Sequence, residues 1–167
     1  MKKFISLLLL SLFCYGIVWA DKPLRLFHIE RNKNANIVCY DANLDEDGKF
    51  DVQNPVDGYW VLQAQKNGKM EDLSEWDRKS YGFRTSYDEK SNSFDFSLKI
   101  IDRKMTILMV DGKPKLKILI NNRDAYLEKV YIQSKDKALG APKILFYTLY
   151  GKTAYTNEPI EEKVIVK

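Results

Sequence analysis

The sequence predicts an all-β protein: an antiparallel barrel or sandwich of about nine strands with one short α-helix. Apolar, strand-like runs recur along the chain, separated by turn residues at intervals of about 8 to 12 positions. Asp111-Gly112 stands between two such runs and is among the strongest short-range signals of a β-hairpin. Only residues 74–82 carry both the start and the stop signals of a helix. Strands therefore dominate the predicted fold.

Residues 1–20 have the composition of a secretory signal peptide. A positively charged start, an apolar centre and a small-residue cleavage site precede Asp21. An uncleaved membrane anchor is one alternative. A lipid anchor on Cys14 is another, although bacterial lipid attachment needs a small residue where Phe13 stands. We expect an exported protein, periplasmic or secreted, whose residues 21–167 form a single β domain.

The composition of the remaining chain excludes several classes of protein. Its single cysteine, Cys39, allows no internal disulfide, so core packing must hold the fold. The lysines are interleaved with acidic residues, which argues against a nucleic-acid partner. Charged residues such as Lys115 and Lys117 on one face of a strand predict that the chain does not span a membrane after signal cleavage. We expect a monomer.

The stretch from residue 104 to residue 133 predicts a three-stranded meander. The Asp111-Gly112 turn sets the first register, in which the facing pairs are Val110 with Lys113, Met109 with Pro114, Thr106 with Lys117, Ile107 with Leu116, and Met105 with Ile118. In the second hairpin we pair Ile118 with Leu127, Ile120 with Ala125, and Lys117 with Glu128. Lys129 would then point inward, so we expect a β-bulge near Glu128.

The first half of the chain predicts a hairpin, a third strand and the helix. Residues 24–30 and 36–43 form the hairpin, whose facing pairs are Phe27 with Tyr40, Ile29 with Val38, and His28 with Cys39. Residues 59–65 form the third strand. In the helix, Ser74 and Asp77 resemble a capping box, and Gly82 suits a left-handed cap.

A resemblance to a known family covers nearly all of the chain after residue 20. It rests on residues 26–31, Asn34, residues 36–38 and 40–43, Asn54-Pro55-Val56, Tyr59-Trp60, Tyr81-Gly82-Phe83, Pro142-Lys143 and Tyr150-Gly151. These residues resemble an uncharacterised family of exported bacterial domains, known only as a domain of unknown function. The resemblance implies export and a single domain, and it implies no catalytic residue.

Few residues offer metal or cofactor chemistry, and we predict neither a cofactor nor a metal site. One histidine and one cysteine after residue 20 cannot build a zinc site of four His and Cys ligands, and no HExxH, P-loop, Rossmann or GxSxG pattern occurs. Residues 43–54 imitate a calcium loop, but Asn54 stands where a bidentate Glu is needed. A turn at Asp47-Gly48 explains that loop better.

Two groups of residues remain as candidate sites. His28 and Cys39 face each other in the predicted hairpin, where imidazole can activate a thiol, although a packed histidine and a buried cysteine are commoner. Aromatic residues cluster in the first half of the chain and, with His28, form the predicted ligand-binding set: Tyr40, Tyr59, Trp60 and Trp76, with Tyr81 close by. The alternative is that these rings are core residues.

The leading hypothesis is an exported binding module for a small apolar or sugar ligand, with no catalytic residue. The rival hypothesis is a structural or interaction domain that docks on a protein of the cell envelope through an exposed strand at residues 160–166. A Cys/His enzyme is a third and weaker alternative.

Overall fold

The computed structural model describes residues 23–136 and 142–166, so the predicted signal peptide lies outside the described residues. Of the described part, 63% is strand and 6% is helix. The strands are β1 (Arg25–Arg31), β2 (Ile37–Ala42), β3 (Val56–Leu62), β4 (Lys69–Asp72), β5 (Phe83–Asp88), β6 (Ser93–Leu98), β7 (Ile101–Val110), β8 (Lys113–Ile120), β9 (Arg123–Lys135), β10 (Lys143–Thr153) and β11 (Pro159–Ile165). Two single-turn helices, α1 (Gln63–Lys66) and α2 (Arg78–Tyr81), flank β4.

All eleven strands belong to one mixed sheet organised around β9. The sheet runs β4-β3-β2-β1-β9-β8-β7-β6-β5, and β10 pairs with β9 and with β11. Because β10 occupies one edge of β9, β8 and β1 share the other edge in succession. The β1–β9 pairing is parallel, so the prediction of a wholly antiparallel fold is wrong at this point. The sheet is not closed, and neither a barrel nor a sandwich is confirmed.

A bulge in β9 marks the change of partner from β8 to β1. Opposite β10, Tyr150 pairs with Lys129 and Gly151 with Leu127, which leaves Glu128 as the extra residue. The buried positions change phase here, from Ala125 and Leu127 to residues 130 and 132. The predicted bulge is therefore confirmed, and it keeps both halves of β9 facing the core.

The core lies between two arms of the sheet, the first made of β1–β4 and the second of β5–β8. Phe27 and Tyr40 stack within the first arm with ring centroids 4.5 Å apart. Both rings meet Phe96 of the second arm edge-on, and Tyr40 also meets Phe83 edge-on at 5.8 Å. These aromatic contacts hold the two arms together, since Phe27, Tyr40 and Phe96 are almost wholly buried.

Two of the three predicted registers are confirmed. The β7–β8 pairs around Asp111-Gly112 and the β1–β2 pairs are those predicted from sequence. The β8–β9 register is wrong by two residues, because the turn consists of Asn121 and Asn122 alone and Ile118 faces Ala125. A shift of two leaves every side chain on its predicted face, so the apolar alternation cannot detect it.

The segment between β3 and β5 differs most from the sequence prediction. The third strand ends at Leu62 instead of residue 65, because α1 begins there, and β4 follows as a strand that the sequence reading did not include. The predicted helix is a single turn. Ser74 and Asp77 make the expected reciprocal bonds, with Asp77 N–H donating to Ser74 Oγ at 3.2 Å and Ser74 N–H to Asp77 Oδ2 at 3.1 Å. Gly82 is extended (φ −66°) instead of left-handed.

Candidate functional site

A groove of about 640 Å³ opens beside the first half of β3. It forms there because β4 pairs only with Tyr59–Leu62, so Val56–Gly58 has β2 on one side and no strand on the other. Arg78 and Phe83, from α2 and the start of β5, contribute to the lining. Gly58 permits the close approach of this segment, because a Cβ at Gly58 would lie 2.9 Å from the Phe83 ring.

The Arg25, Asp41 and Tyr59 side chains form a hydrogen-bonded network at the groove. Arg25 Nε donates to Asp41 Oδ1, the Tyr59 hydroxyl donates to Asp41 Oδ2, and Arg25 Nη2 lies 3.2 Å from the Tyr59 hydroxyl. Asp41 is only 7% exposed, and each of its carboxylate oxygens accepts a hydrogen bond from a neighbouring side chain. This satisfies the requirement that a buried carboxylate be paired.

A bulge at Leu26 places Arg25 in this network. Phe27 faces Tyr40, so a regular antiparallel register would place Arg25 opposite Ala42. Arg25 instead faces Asp41. Without the extra residue, Arg25 would share the core face with Phe27. The bulge turns the guanidinium to the outer face of the first arm, where Asp41 lies.

The electrostatics of the network keep Tyr59 protonated. The pKa of Tyr59 is raised to about 12, mainly by burial and next by the hydrogen bond to Asp41. Tyr59 is therefore a neutral hydrogen-bond donor at neutral pH. Its ring remains beside the groove with its hydroxyl held by Asp41.

Two exposed carboxylates, those of Asp57 and Asp72, lie beside this network. Asp57 faces Asp41 across β2 and β3, and Asp72 faces Tyr59 across β3 and β4. Like charges directly opposite in a sheet are destabilising. Asp57 receives a hydrogen bond from Asn54 Nδ2 at 3.1 Å, and no cation within the described chain is paired with it. The groove thus presents carboxylate oxygens that no cation of the described chain neutralises.

The predicted ligand-binding residues do not come together. Tyr59 lines the groove, whereas Tyr40 lies in the core and Trp60 is buried beneath Arg31. Trp76 is 64% exposed beside Lys79. His28, on the outer face of β1, lies 3.2 Å from Glu30 Oε1.

Sequence reasoning missed Arg25, Asp41, Asp57 and Asp72 as site residues. The available signal was the pairing of β2 with β3, which sets two acidic residues opposite each other. That pairing was not predicted, because the third strand was placed at residues 59–65, three residues too late at its start.

The predicted His28–Cys39 register is present, and the surroundings of Cys39 can be compared with those of a cysteine nucleophile. The two residues face each other across β1 and β2, as predicted, but no hydrogen bond joins their side chains within the described structure. Burial raises the pKa of the Cys39 thiol to about 11. A cysteine nucleophile needs the opposite shift, so this environment keeps the thiol protonated.

Two carboxylates of the loop at residues 43–54 accept hydrogen bonds from the loop's own backbone N–H groups. Asp45 Oδ1 accepts the N–H groups of Asp47 and Lys49, and Asp51 Oδ1 accepts those of Gln53 and Asn54. Gly48 has a positive φ of 75°, as the predicted turn requires. No group of three metal-ligating side chains occurs within residues 23–136 and 142–166.

The fold and the groove define a mostly β domain with a polar surface groove. A family model described as "Domain of unknown function (DUF4833)" matches residues 27–163, so the chain belongs to this family. The chain matches no curated protein and no solved structure. None of the helices in residues 23–136 and 142–166 combines the length with the apolar composition that a membrane span needs.

Proposed function

We propose that the chain is an exported binding module that holds a small, hydroxyl-rich ligand, such as a sugar, in the groove beside β3. The observation that carries this proposal is the network at the groove in which the buried Asp41 carboxylate is held by Tyr59 and by Arg25, whose side chain is 31% exposed. A sheet face in contact with water does not need such an ion pair for stability, because pairing a buried carboxylate adds little once desolvation is counted. A rigid polar wall does serve to orient a ligand.

The groove favours a sugar over an apolar ligand. An apolar molecule would remove water from Asp57 and Asp72 without replacing their hydrogen bonds, which costs free energy. Sugar hydroxyls donate to carboxylates, and a sugar can also contact the side of the Tyr59 ring. Arg78, exposed at the same groove, offers donors for a ring or carboxyl oxygen.

Titration of saccharides into the ¹⁵N-labelled chain from residue 21 tests the proposal. We expect one saccharide class to shift the amide resonances of Gly58 and Tyr59. Asp57→Asn should weaken that binding by about tenfold, since a hydrogen bond to a charged group contributes roughly 1.5–3 kcal/mol. Asp95→Asn, an exposed change on β6 in the second arm, is the matched control and should leave affinity unchanged. Unmoved groove resonances with every saccharide would refute the proposal.

A second candidate function is docking on an envelope protein through β11. Within the described structure β11 pairs with β10 alone, and Ile165 near its end is 64% exposed. An exposed strand of this kind can add to the sheet of a partner. Replacing Ile165 by Lys should abolish capture of such a partner and leave saccharide titrations unchanged, which separates the two functions.

A further inference from the structure

Arg31, the last residue of β1, is held by two aromatic rings at the end of the core. Its guanidinium carbon lies 4.5 Å from the Trp60 ring centroid and 5.8 Å from that of Tyr81. These two rings meet edge-on, with centroids 5.4 Å apart. Stacking on aromatic faces restricts the side chain, so the guanidinium is oriented before any partner arrives.

The hydrogen bonds of Arg31 are incomplete. Its Nε is buried and has no acceptor, and no carboxylate within the described residues forms an ion pair with it. Its outer nitrogens reach only neutral oxygens at long distances: Nη1 lies 3.5 Å from the Tyr81 hydroxyl, and Nη2 lies 3.4 Å from Asn34 Oδ1. A guanidinium normally finds a shorter, charged partner.

Further donors lie beside the outer nitrogens of Arg31. Asn34 Oδ1 also accepts the backbone N–H of Asn36 at 3.0 Å, which orients the amide, and Asn34 Nδ2 has no acceptor within the described chain. The Tyr81 hydroxyl likewise donates to no described residue. Arg31, Asn34 and Tyr81 thus bring hydrogen-bond donors together without a negative charge to receive them.

We propose that Arg31, Asn34 and Tyr81 form an oxyanion-binding site. The ligand group is a carboxylate, whose two oxygens match the two outer nitrogens of the guanidinium, or a phosphate, which offers the same pair of oxygens. The Tyr81 hydroxyl and the Asn34 amide supply the remaining donors. Neither Arg31 nor Tyr81 lines the groove beside β3, so this site is independent of the proposed sugar site.

Trp60 reports on the site directly. In the Trp76→Phe variant of the chain from residue 21, Trp60 is the remaining tryptophan. We titrate this variant with acetate and separately with phosphate at pH 7 and constant ionic strength, using chloride as the reference anion. A saturable change in Trp60 emission is expected with at least one oxyanion. A response to acetate alone assigns a carboxylate, a response to phosphate alone assigns a phosphate, and a response to both supports a general oxyanion site.

Variants separate binding from a purely structural role of Arg31. Arg31→Lys keeps the charge but loses the two-point geometry, and should weaken oxyanion binding by about tenfold. Tyr81→Phe retains the ring and should weaken it by a smaller factor. Arg84→Met is the control, because Arg84 is exposed on β5 and forms no ion pair within the described residues. An emission unchanged by both oxyanions, or titrations identical in Arg31→Lys and the parent, would overturn the proposal.

Discussion

The Tyr40 hydroxyl donates a hydrogen bond of 2.7 Å to the backbone carbonyl oxygen of Tyr81. Tyr40 is fully buried in β2, and burial raises its pKa well above the usual value. The bond fixes the end of α2 against the first arm, immediately before Phe83 enters the groove. A residue that sequence analysis assigned to ligand binding therefore positions a wall of the groove.

Tyr40→Phe should lower the free energy of unfolding by about 1–2 kcal/mol, because the Tyr81 carbonyl loses its partner in a buried place. Urea unfolding at pH 7 measures the change. Tyr87→Phe is the matched control. The Tyr87 hydroxyl bonds the exposed Asn92 at 2.9 Å, where water can replace it, so this change should alter stability by less than about 0.5 kcal/mol. Equal losses of unfolding free energy in the two variants would contradict a larger stabilising effect of the buried Tyr40–Tyr81 bond.

Gly58→Ala should destabilise the chain by about 1–3 kcal/mol through overpacking against Phe83. The Phe83 ring cannot move freely, since it stacks on Phe96 with centroids 5.5 Å apart. The double variant Gly58→Ala, Phe83→Leu should recover part of the loss, because leucine is smaller. A double-mutant cycle in urea checks this, and strictly additive effects would contradict the proposed contact.

The turn between β8 and β9 gives a prediction about backbone conformation. Asn121 and Asn122 both have positive φ, at 49° and 58°. Asn122→Gly should keep or slightly raise stability, whereas Asn122→Val should lower it by about 1–2 kcal/mol, because a β-branched residue resists this conformation. Thermal unfolding of the two variants measures the difference. A valine variant as stable as the glycine variant would indicate another turn geometry.

Glu162 on β11 should make the free energy of unfolding depend on pH in the acid range. Its carboxylate pairs with both outer nitrogens of Arg103, at 2.5 and 2.8 Å, and accepts the Asn121 N–H at 2.6 Å. The Arg103 hydrogen bonds are the main cause that lowers the pKa of Glu162, against an opposing effect of partial burial. A lowered folded pKa means that the pair stabilises the fold above the unfolded pKa of about 4.3 and loses this effect as the pH falls through the folded value.

Urea midpoints at pH 7 and pH 3 test this dependence. Glu162→Gln should be less stable than the parent at pH 7, and the difference should shrink at pH 3, where the parent carboxylate becomes protonated. Glu161→Gln changes the exposed neighbour and should show no such convergence. A difference between Glu162→Gln and the parent that is the same at both pH values would contradict the assignment.

Local sequence signals predicted the hairpins well. Asp111-Gly112 sets one register, and the displaced alternation around Lys129 reveals the bulge at Glu128. The Asn121-Asn122 turn was missed because a two-residue shift in register preserves the faces. β4 was missed because its four residues are polar or exposed and carry no alternation.

The candidate site was harder to predict than the hairpins. Aromatic residues drew attention, but Tyr40 and Trp60 serve the core, as large rings in sheets commonly do. Asp41 becomes a buried, paired carboxylate only because the Leu26 bulge turns Arg25 toward it. Both the bulge and the β2–β3 register are tertiary features. A single sequence shows these acidic residues as ordinary polar positions in or near turns.

The parallel pairing of β1 with β9 constrains the order in which the chain can fold. His28–Arg31 pairs with Lys129–Ile132, about a hundred positions later, whereas β2–β4 and β5–β8 pair with their sequence neighbours. Contacts between distant segments carry a larger loop-closure cost and slow folding. Each arm can therefore form as a local meander, and β9 extends the second arm by pairing with β8 through a two-residue turn. The open edge of β1 waits for the distant β9, so the pairing of these two strands is the step that protects the unfinished sheet from aggregation.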